Sequence, residues 1–431
     1  MKQRKLLFFT AIFFVFLDYG NAQLSYGKKV VKKLSSKNMH GRGYVKRGDL
    51  KAAKYISNEF KKIGLLKYND SYFQKFDFPV NTQPNKMKLI LNDTLELVPG
   101  VEFLINPASP SIKGSYPTVL FTSEDLLNIN RLNEKLVDSN GKIILINNYD
   151  IDDFNKDEKS KISIVINFLK NNPENPAIAT ILFTHKKLTW SGSTIQNKNA
   201  SFTINKKIDI TQINRVTLNC DSEFQEKYTS QNCIGYIKGS SKTDSTVVVT
   251  AHYDHLGKMG KKTFFPGAND NASGVALLLN QAKYFSKKEN KPKYNIVFIA
   301  FGGEEIGLLG SRFFTEYPLI DLSKIKLLLN FDLAGTGDEG IKVVNGKEFT
   351  NHFNKLIEIN STYNLLTNIY PRGKACNSDH CFFYEKGIPS LYIYTLGGIK
   401  AYHDIYDKYE TLPFTEFEDY NMLIQQFIKQ L

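Results

Sequence analysis

The stretch Asn295-Ile296-Val297-Phe298-Ile299-Ala300-Phe301, followed at once by Gly302-Gly303-Glu304-Glu305, decides the fold. A run that is apolar almost throughout reads as a strand buried on both faces, the kind found in mostly parallel sheets flanked by helices. Working outward from it, the same alternation continues on both sides. Strands are predicted at Thr246–Thr250, Lys326–Phe331 and Ser390–Tyr394, and helices at Val275–Phe285, Gly310–Phe314, Thr350–Ile359 and about 414–430. The fold class is therefore α/β with a mostly parallel central sheet. In such sheets ligands bind beyond the carboxyl ends of the strands, so functional polar residues are expected immediately after a strand.

That position holds a concentration of histidines and acids. The first strand runs into Ala251-His252-Tyr253-Asp254-His255, where His252 suits a metal and Asp254 suits the other ring nitrogen of that histidine. Alone, His252 would read as a hydrogen-bonded core histidine. Gly267-Ala268-Asn269-Asp270-Asn271-Ala272-Ser273-Gly274 is a glycine-flanked turn opening a helix, in which Asp270 by itself would be a turn or capping residue. Glu304 and Glu305 are adjacent carboxylates directly after a buried strand, and two such groups do not both ionise freely unless cations compensate or one keeps a proton. Asp332 follows the strand ending at Phe331, and Tyr402-His403-Asp404 lies in a polar turn with Asp407 beyond it. Nitrogen and carboxylate ligands without thiolates suit zinc, with cobalt or manganese as substitutes. Two cations about 3.5–4 Å apart would account for the excess of carboxylates.

Upstream, the pattern is different. The first residues, Met1-Lys2-Gln3-Arg4-Lys5, then Leu6 to Leu17, then Gly20-Asn21-Ala22, have the basic, apolar and small-residue zones of a secretory signal, with cleavage expected after Ala22. The apolar zone is shorter than the roughly 20 residues of a membrane-spanning helix. No stable membrane insertion is expected after cleavage, and the mature chain is placed in a periplasm or outside the cell. Residues 23–95 form an N-terminal part with a helix at Gly48–Lys62. Residues 96–212 hold short apolar runs at Val119–Phe121, Lys142–Ile146 and Ala179–Phe183 between Asn- and Asp-rich loops, and read as an inserted smaller α/β or β-rich domain. Residues 213–431 carry the alternating pattern.

The net charge of +13 invites nucleic acid as a partner, but the lysines are scattered and no nucleic-acid motif is present, so a solvated basic surface is the better reading and no nucleic-acid partner is expected. The four cysteines are an even number in an exported chain, and sequence proximity favours Cys220 with Cys233 and Cys376 with Cys381 out of three connectivities.

Taken together, AHYDHLG, GANDNASG, FGGEEIGLLGS, NFDLAG, SDHCFF and YHDIYD resemble, in family order, the M28 family of metallopeptidases, over roughly 180 residues. Gln231 to Ser240 is similar to the strand that introduces the catalytic domain there, and residues 96–212 to a protease-associated insertion. The resemblance implies a zinc-exopeptidase-like fold holding two zinc ions and cleaving residues from peptide or protein N-termini. It implies His252 and Asp332 on one metal, Glu305 and His403 on the other, Asp270 bridging, and Glu304 as general base. Asp254 would orient His252, and Tyr402 is a candidate for holding the developing oxyanion. Ser378-Asp379-His380 matches a segment near the substrate pocket, flanked by Cys376 and Cys381, and His380 receives no metal.

Three other readings stay open at this point. One is a single-zinc glutaminyl cyclase of similar architecture. Another is a carboxypeptidase, for which Arg312 and Arg372 are available, and the third is a receptor-like binding module of the same fold. The oligomeric state is not legible.

Overall fold

The computed structural model describes residues 22–431, and the signal expected at 1–22 lies, but for its last residue, outside them. Two eight-stranded sheets organise the chain. The first runs, edge to edge, Phe73–Thr82, Glu223–Ile237, Asn295–Phe301, Thr246–His252, Ile325–Asp332, Ser390–Thr395, Ile341–Val344 and Ile369–Pro371. Its four central strands are parallel, and antiparallel pairs flank them. This is the expected α/β architecture.

Burial alternates by face along each central strand. Val249, Phe298, Leu329 and Ile393 point into a core shared with helices Gly48–Ile63, Gly274–Phe285 and Phe417–Lys429. Val248, Val297, Ile299 and Leu328 point into a second core under helices Leu309–Glu316 and Cys381–Glu385. Each of these apolar side chains contributes about 1.5–3 kcal/mol on burial, and the double cover explains why the strands are mostly apolar. The buried exceptions Thr250 and Asn330 bond to each other across neighbouring strands at 2.7 Å. The connection after Thr246–His252 passes to Asn295–Phe301 on one side, and the next passes back across to Ile325–Asp332 on the other. The reversal opens a crevice at the carboxyl ends of these three strands.

The second sheet runs Leu95–Glu96, Met87–Leu91, Arg215–Cys220, Ile112–Phe121, Ile143–Asn147, Ala179–Phe183, Ala200–Ile204 and Phe103–Ile105. It too has a parallel centre, from Ile112–Phe121 to Ala200–Ile204. Helix Lys156–Asn171 covers one face, starting in a capping box in which the Asn155 side chain accepts from the backbone of Glu158 and the Glu158 side chain accepts from that of Asn155. Among the described residues no helix is long and apolar enough to cross a membrane.

The cysteines correct one expectation. Cys376 and Cys381 form a disulfide, but Cys220 and Cys233 are free and buried. Cys220 ends a strand of the second sheet and donates its thiol to the Lys88 carbonyl, whereas Cys233 lies in the core of the first sheet and donates to that of Ala53. Proximity in sequence is undone because the chain crosses from one sheet to the other between them.

Candidate metal centre

Three strand ends and two loops deliver the polar residues to the crevice. His252 is the last residue of its strand, and its Nδ1 donates to the backbone carbonyl of Asp254 at 3.2 Å. This leaves Nε2 facing Asp270 Oδ1 at 3.4 Å, Asp332 Oδ2 at 3.5 Å and Glu304 Oε2 at 3.9 Å. His403, in a left-handed backbone conformation (φ 53°), is arranged the same way. Its Nδ1 donates to the Trp190 carbonyl at 3.1 Å and its Nε2 faces Asp270 Oδ2 at 3.1 Å and Glu305 Oε2 at 3.2 Å. The two oxygens of Asp270 therefore serve two different histidines.

Asp254 differs in detail from its expected role. Its carboxylate is 3.8 Å from His252 Nδ1 and instead accepts from the backbone N–H groups of Glu304 and Glu305 at 3.2 and 3.4 Å and from the Tyr44 hydroxyl at 3.1 Å. It positions the Glu304–Glu305 turn more directly than the His252 ring. That turn needs small residues: Gly303 has φ 75°, and a Cβ on Gly310 would stand 2.1 Å from the Gly302 carbonyl oxygen. Tyr402 is 46% exposed, with its ring stacked on that of His403 at 4.0 Å.

Several residues gathered here carried no assignment in the sequence. His255 Nδ1 lies 2.7 Å from Glu305 Oε1, and its Nε2 is buried without a partner. The histidine stands in the AHYDHLG run, in which only His252 and Asp254 are given roles from the sequence. Asp407 accepts from the N–H groups of Asn269 and Asp270 at 2.8 and 2.9 Å, and Tyr392 donates to Asp332 Oδ2 at 3.3 Å.

Arg42 is fully buried and donates to the carbonyls of Tyr253, Leu34, Pro266, Gly267 and Asp270 at 2.7–3.2 Å, spending its fork of donors on both ligand-bearing loops. Burial lowers its guanidinium to about 10, which keeps it charged at neutral pH. Gly267 is obligatory beside it: with φ 58°, a Cβ there would meet the Asp270 carbonyl oxygen at 2.2 Å and Arg42 Nη2 at 2.6 Å. No local pattern around Arg42 announces this role.

The electrostatics show which partners would suit these groups. Burial alone would lower His403, but Glu305 and Asp270 outweigh it and push the ring up to about 11; His252 is likewise raised by Glu304 and Asp332 against burial. Burial raises Glu304 well above the carboxylate range, with Glu305 adding to it against His252. Burial would raise Glu305 too, but His403 and His255 hold it well below that range. A buried set of His nitrogens and carboxylate oxygens, with both Nδ1 atoms engaged by carbonyls and both Nε2 atoms turned into the acids, fits divalent cations of the zinc type. Ligand atoms of His252, Asp270 and Asp332 lie within 4.8 Å of one another, as do those of His255, Asp270 and Glu305.

Known proteins resemble this chain in sequence and in fold. The peptidase family M28 profile matches residues 232–428. Aminopeptidase YwaD of Bacillus subtilis is 30% identical over 255 residues, covering 55% of this chain and 54% of that protein, so the alignment spans about half its length. Among solved structures, a zinc aminopeptidase from Bacillus subtilis superposes with a TM-score of 0.68 at 22% identity, covering 94% of both chains. A peptidase M28 precursor from Shewanella amazonensis SB2B has a TM-score of 0.68 at 18% identity, covering 96% of this chain and 95% of its own. At these identities the two structures establish the shared fold, over both sheets. Over residues 232–428 the chain is similar to peptidase family M28.

Proposed function

We propose that the protein is a two-metal, zinc-type aminopeptidase that releases residues from the N-termini of peptides. The observation that carries this reading is Asp270, whose Oδ1 faces His252 and whose Oδ2 faces His403. In this reading His252 and Asp332 hold one cation, His403 and Glu305 the other, and Asp270 both. When bound, the cations supply an acidified water and polarise the scissile carbonyl.

The chain's own residues supply the rest. Glu304, whose buried carboxyl has a raised proton affinity, takes a proton from the attacking water and returns it to the nitrogen of the leaving amine. Asp254 keeps Glu304 in place through the turn N–H. Tyr402, at the mouth, donates to the oxyanion as it forms. Asp379, which holds no metal in this reading, adds a carboxyl that an approaching α-ammonium would draw into its charged form, which favours the terminal bond. Burial pushes the Asp379 carboxyl up to about 7.

The chain is placed outside the cytoplasm by the signal-like residues 1–22, and the Cys376–Cys381 disulfide suits an oxidising compartment. The test is Glu304→Gln with aminoacyl-amide substrates. Turnover should fall by about 10³-fold or more with metal content unchanged, and N-acetylated substrates should be inert. Unchanged turnover in the variant removes Glu304 as the base.

A further inference from the structure

At the carboxyl ends of the second sheet's parallel strands lies a cavity of about 420 Å³. Lys170, Lys186 and Lys187 line it together with Asn148, Thr184 and Thr203, and no Asp or Glu is among its described lining residues. Lys187 is neutralised by Asp404 at 2.7 Å. Lys170 and Lys186 have no ion-pair partner among the described residues, and the Lys170 ammonium donates only to the Thr203 hydroxyl, at 3.1 Å. A partly enclosed ammonium without a counter-charge is costly, and burial lowers Lys170 to about 8. An anion seated between the two lysines would relieve that cost.

The position of the cavity suggests which anion. Pro107, Trp190 and Ser191 line it on one side, and on the other they line the narrow cleft that contains His255 and Glu305. The Trp190 backbone is also hydrogen-bonded in both directions to His403. The cavity and the cleft beside His255 and Glu305 therefore share this wall and are neighbours.

We propose that the cavity is a carboxylate subsite, holding the carboxylate of a peptide substrate, distal to the bond cleaved, between Lys170 and Lys186. This rests on the peptidase reading and adds to it a substrate class: short peptides ending in a free carboxylate, or longer ones with an acidic side chain at the same reach.

The experiment is calorimetric titration of metal-loaded, full-chain Glu304→Gln protein with peptides of three to six residues. Each is offered as the C-terminal acid, as the amide, and as an amide ending in Glu. At one length or more, a carboxylate-bearing form should bind about tenfold or more tightly than the plain amide. The acid and Glu arms separate the two sources of the carboxylate. The preference should shrink to within about twofold in the Lys170→Met/Lys186→Met background and survive in Lys170→Arg. Equal binding of all three forms at every length overturns the subsite, and so does a preference that persists in the double variant. Failure of the peptidase reading would show elsewhere, as absence of turnover of these peptides by the parent protein.

Discussion

At the carboxyl ends of the first sheet stand His252, Glu304, Glu305 and Asp332; directly after the parallel strands of the second stand Thr122, Asn148, Thr184 and Asn205. Both sheets have a parallel centre, apolar strands and helical cover, so both open a crevice at the same end of their strands. Only the residue class placed there differs. The acids gathered at one end repel each other until positive charge joins them, whereas amides, hydroxyls and lysines at the other await an anion. Topology gives each sheet a place for a ligand, and side-chain chemistry sets the sign of what fills it.

The largest effect should come from removing Asp270, the group that in the proposed reading would serve both metals of the first crevice. Asp270→Asn keeps the shape and halves the formal bridge. Metal content should drop below two per chain and turnover by about 10³-fold or more, measured by elemental analysis beside an aminoacyl-amide assay. Two tightly held metals in an active Asp270→Asn protein would make the contrast between the sheets one of composition without function.

Arg42 comes next, because it holds the acid-bearing loops through their backbone carbonyls. Arg42→Met leaves five carbonyl contacts without their donor and removes the nearest fixed positive charge from Asp270, Asp407 and Asp254. A loss on the order of 3–5 kcal/mol is expected in denaturant unfolding, together with weaker metal retention against a chelator. Stability within about 1 kcal/mol of the parent would mean that the loops hold themselves.

The second sheet should respond on a smaller scale and without touching catalysis. Asp125 closes a capping box with Thr122 and is bonded by Lys135. Burial alone would raise its carboxyl, but Lys135 and Thr122 outweigh it and hold it below the usual range. Its contribution is therefore present above the unfolded pKa of about 3.9 and is lost as pH falls through the lower folded value. Asp125→Asn should cost about 1–2 kcal/mol at pH 7, less at pH 3, with kcat/KM unchanged. A fall in kcat/KM would show that the second sheet is coupled to the metal centre more tightly than its separate core implies.

These expectations also mark how far the sequence could be read. Asn295–Phe301 and Ala179–Phe183 stand where the apolar runs placed them, and Thr246–Thr250 extends to His252 because its parallel pairing continues opposite Phe301. Of the flanking strands, Phe73–Thr82 carries no strand reading in the sequence, since it alternates buried and exposed residues for most of its length and pairs with a partner far along the chain. Glu223–Ile237 is legible only from Gln231 on, by resemblance, because its first residues are largely exposed. Ile341–Val344 and Ile369–Pro371 are too short to carry a period. The five expected ligands gather in one crevice because each follows a strand or sits in a glycine-flanked or polar turn. Arg42 and the Lys170 cavity were illegible for a common reason, since what they do depends on backbone carbonyls or on empty space, neither of which has a residue pattern.

The smallest effect is the one that separates the two sheets covalently. A Cys220–Cys233 bridge would have tied the second sheet's core to the first; with both thiols free, each core is closed by packing alone. Burial pushes the Cys220 thiol up to about 11 and that of Cys233 well above its usual value, so neither offers thiolate at pH 8. A thiol reagent should therefore find no reactive group in the native protein. After unfolding without reductant it should find two, since Cys376 and Cys381 are paired. Cys220→Ala should leave turnover unchanged and cost no more than about 1 kcal/mol. A count of zero in the unfolded chain would mean that the bridge exists, and that the boundary between the two sheets is drawn in the wrong place.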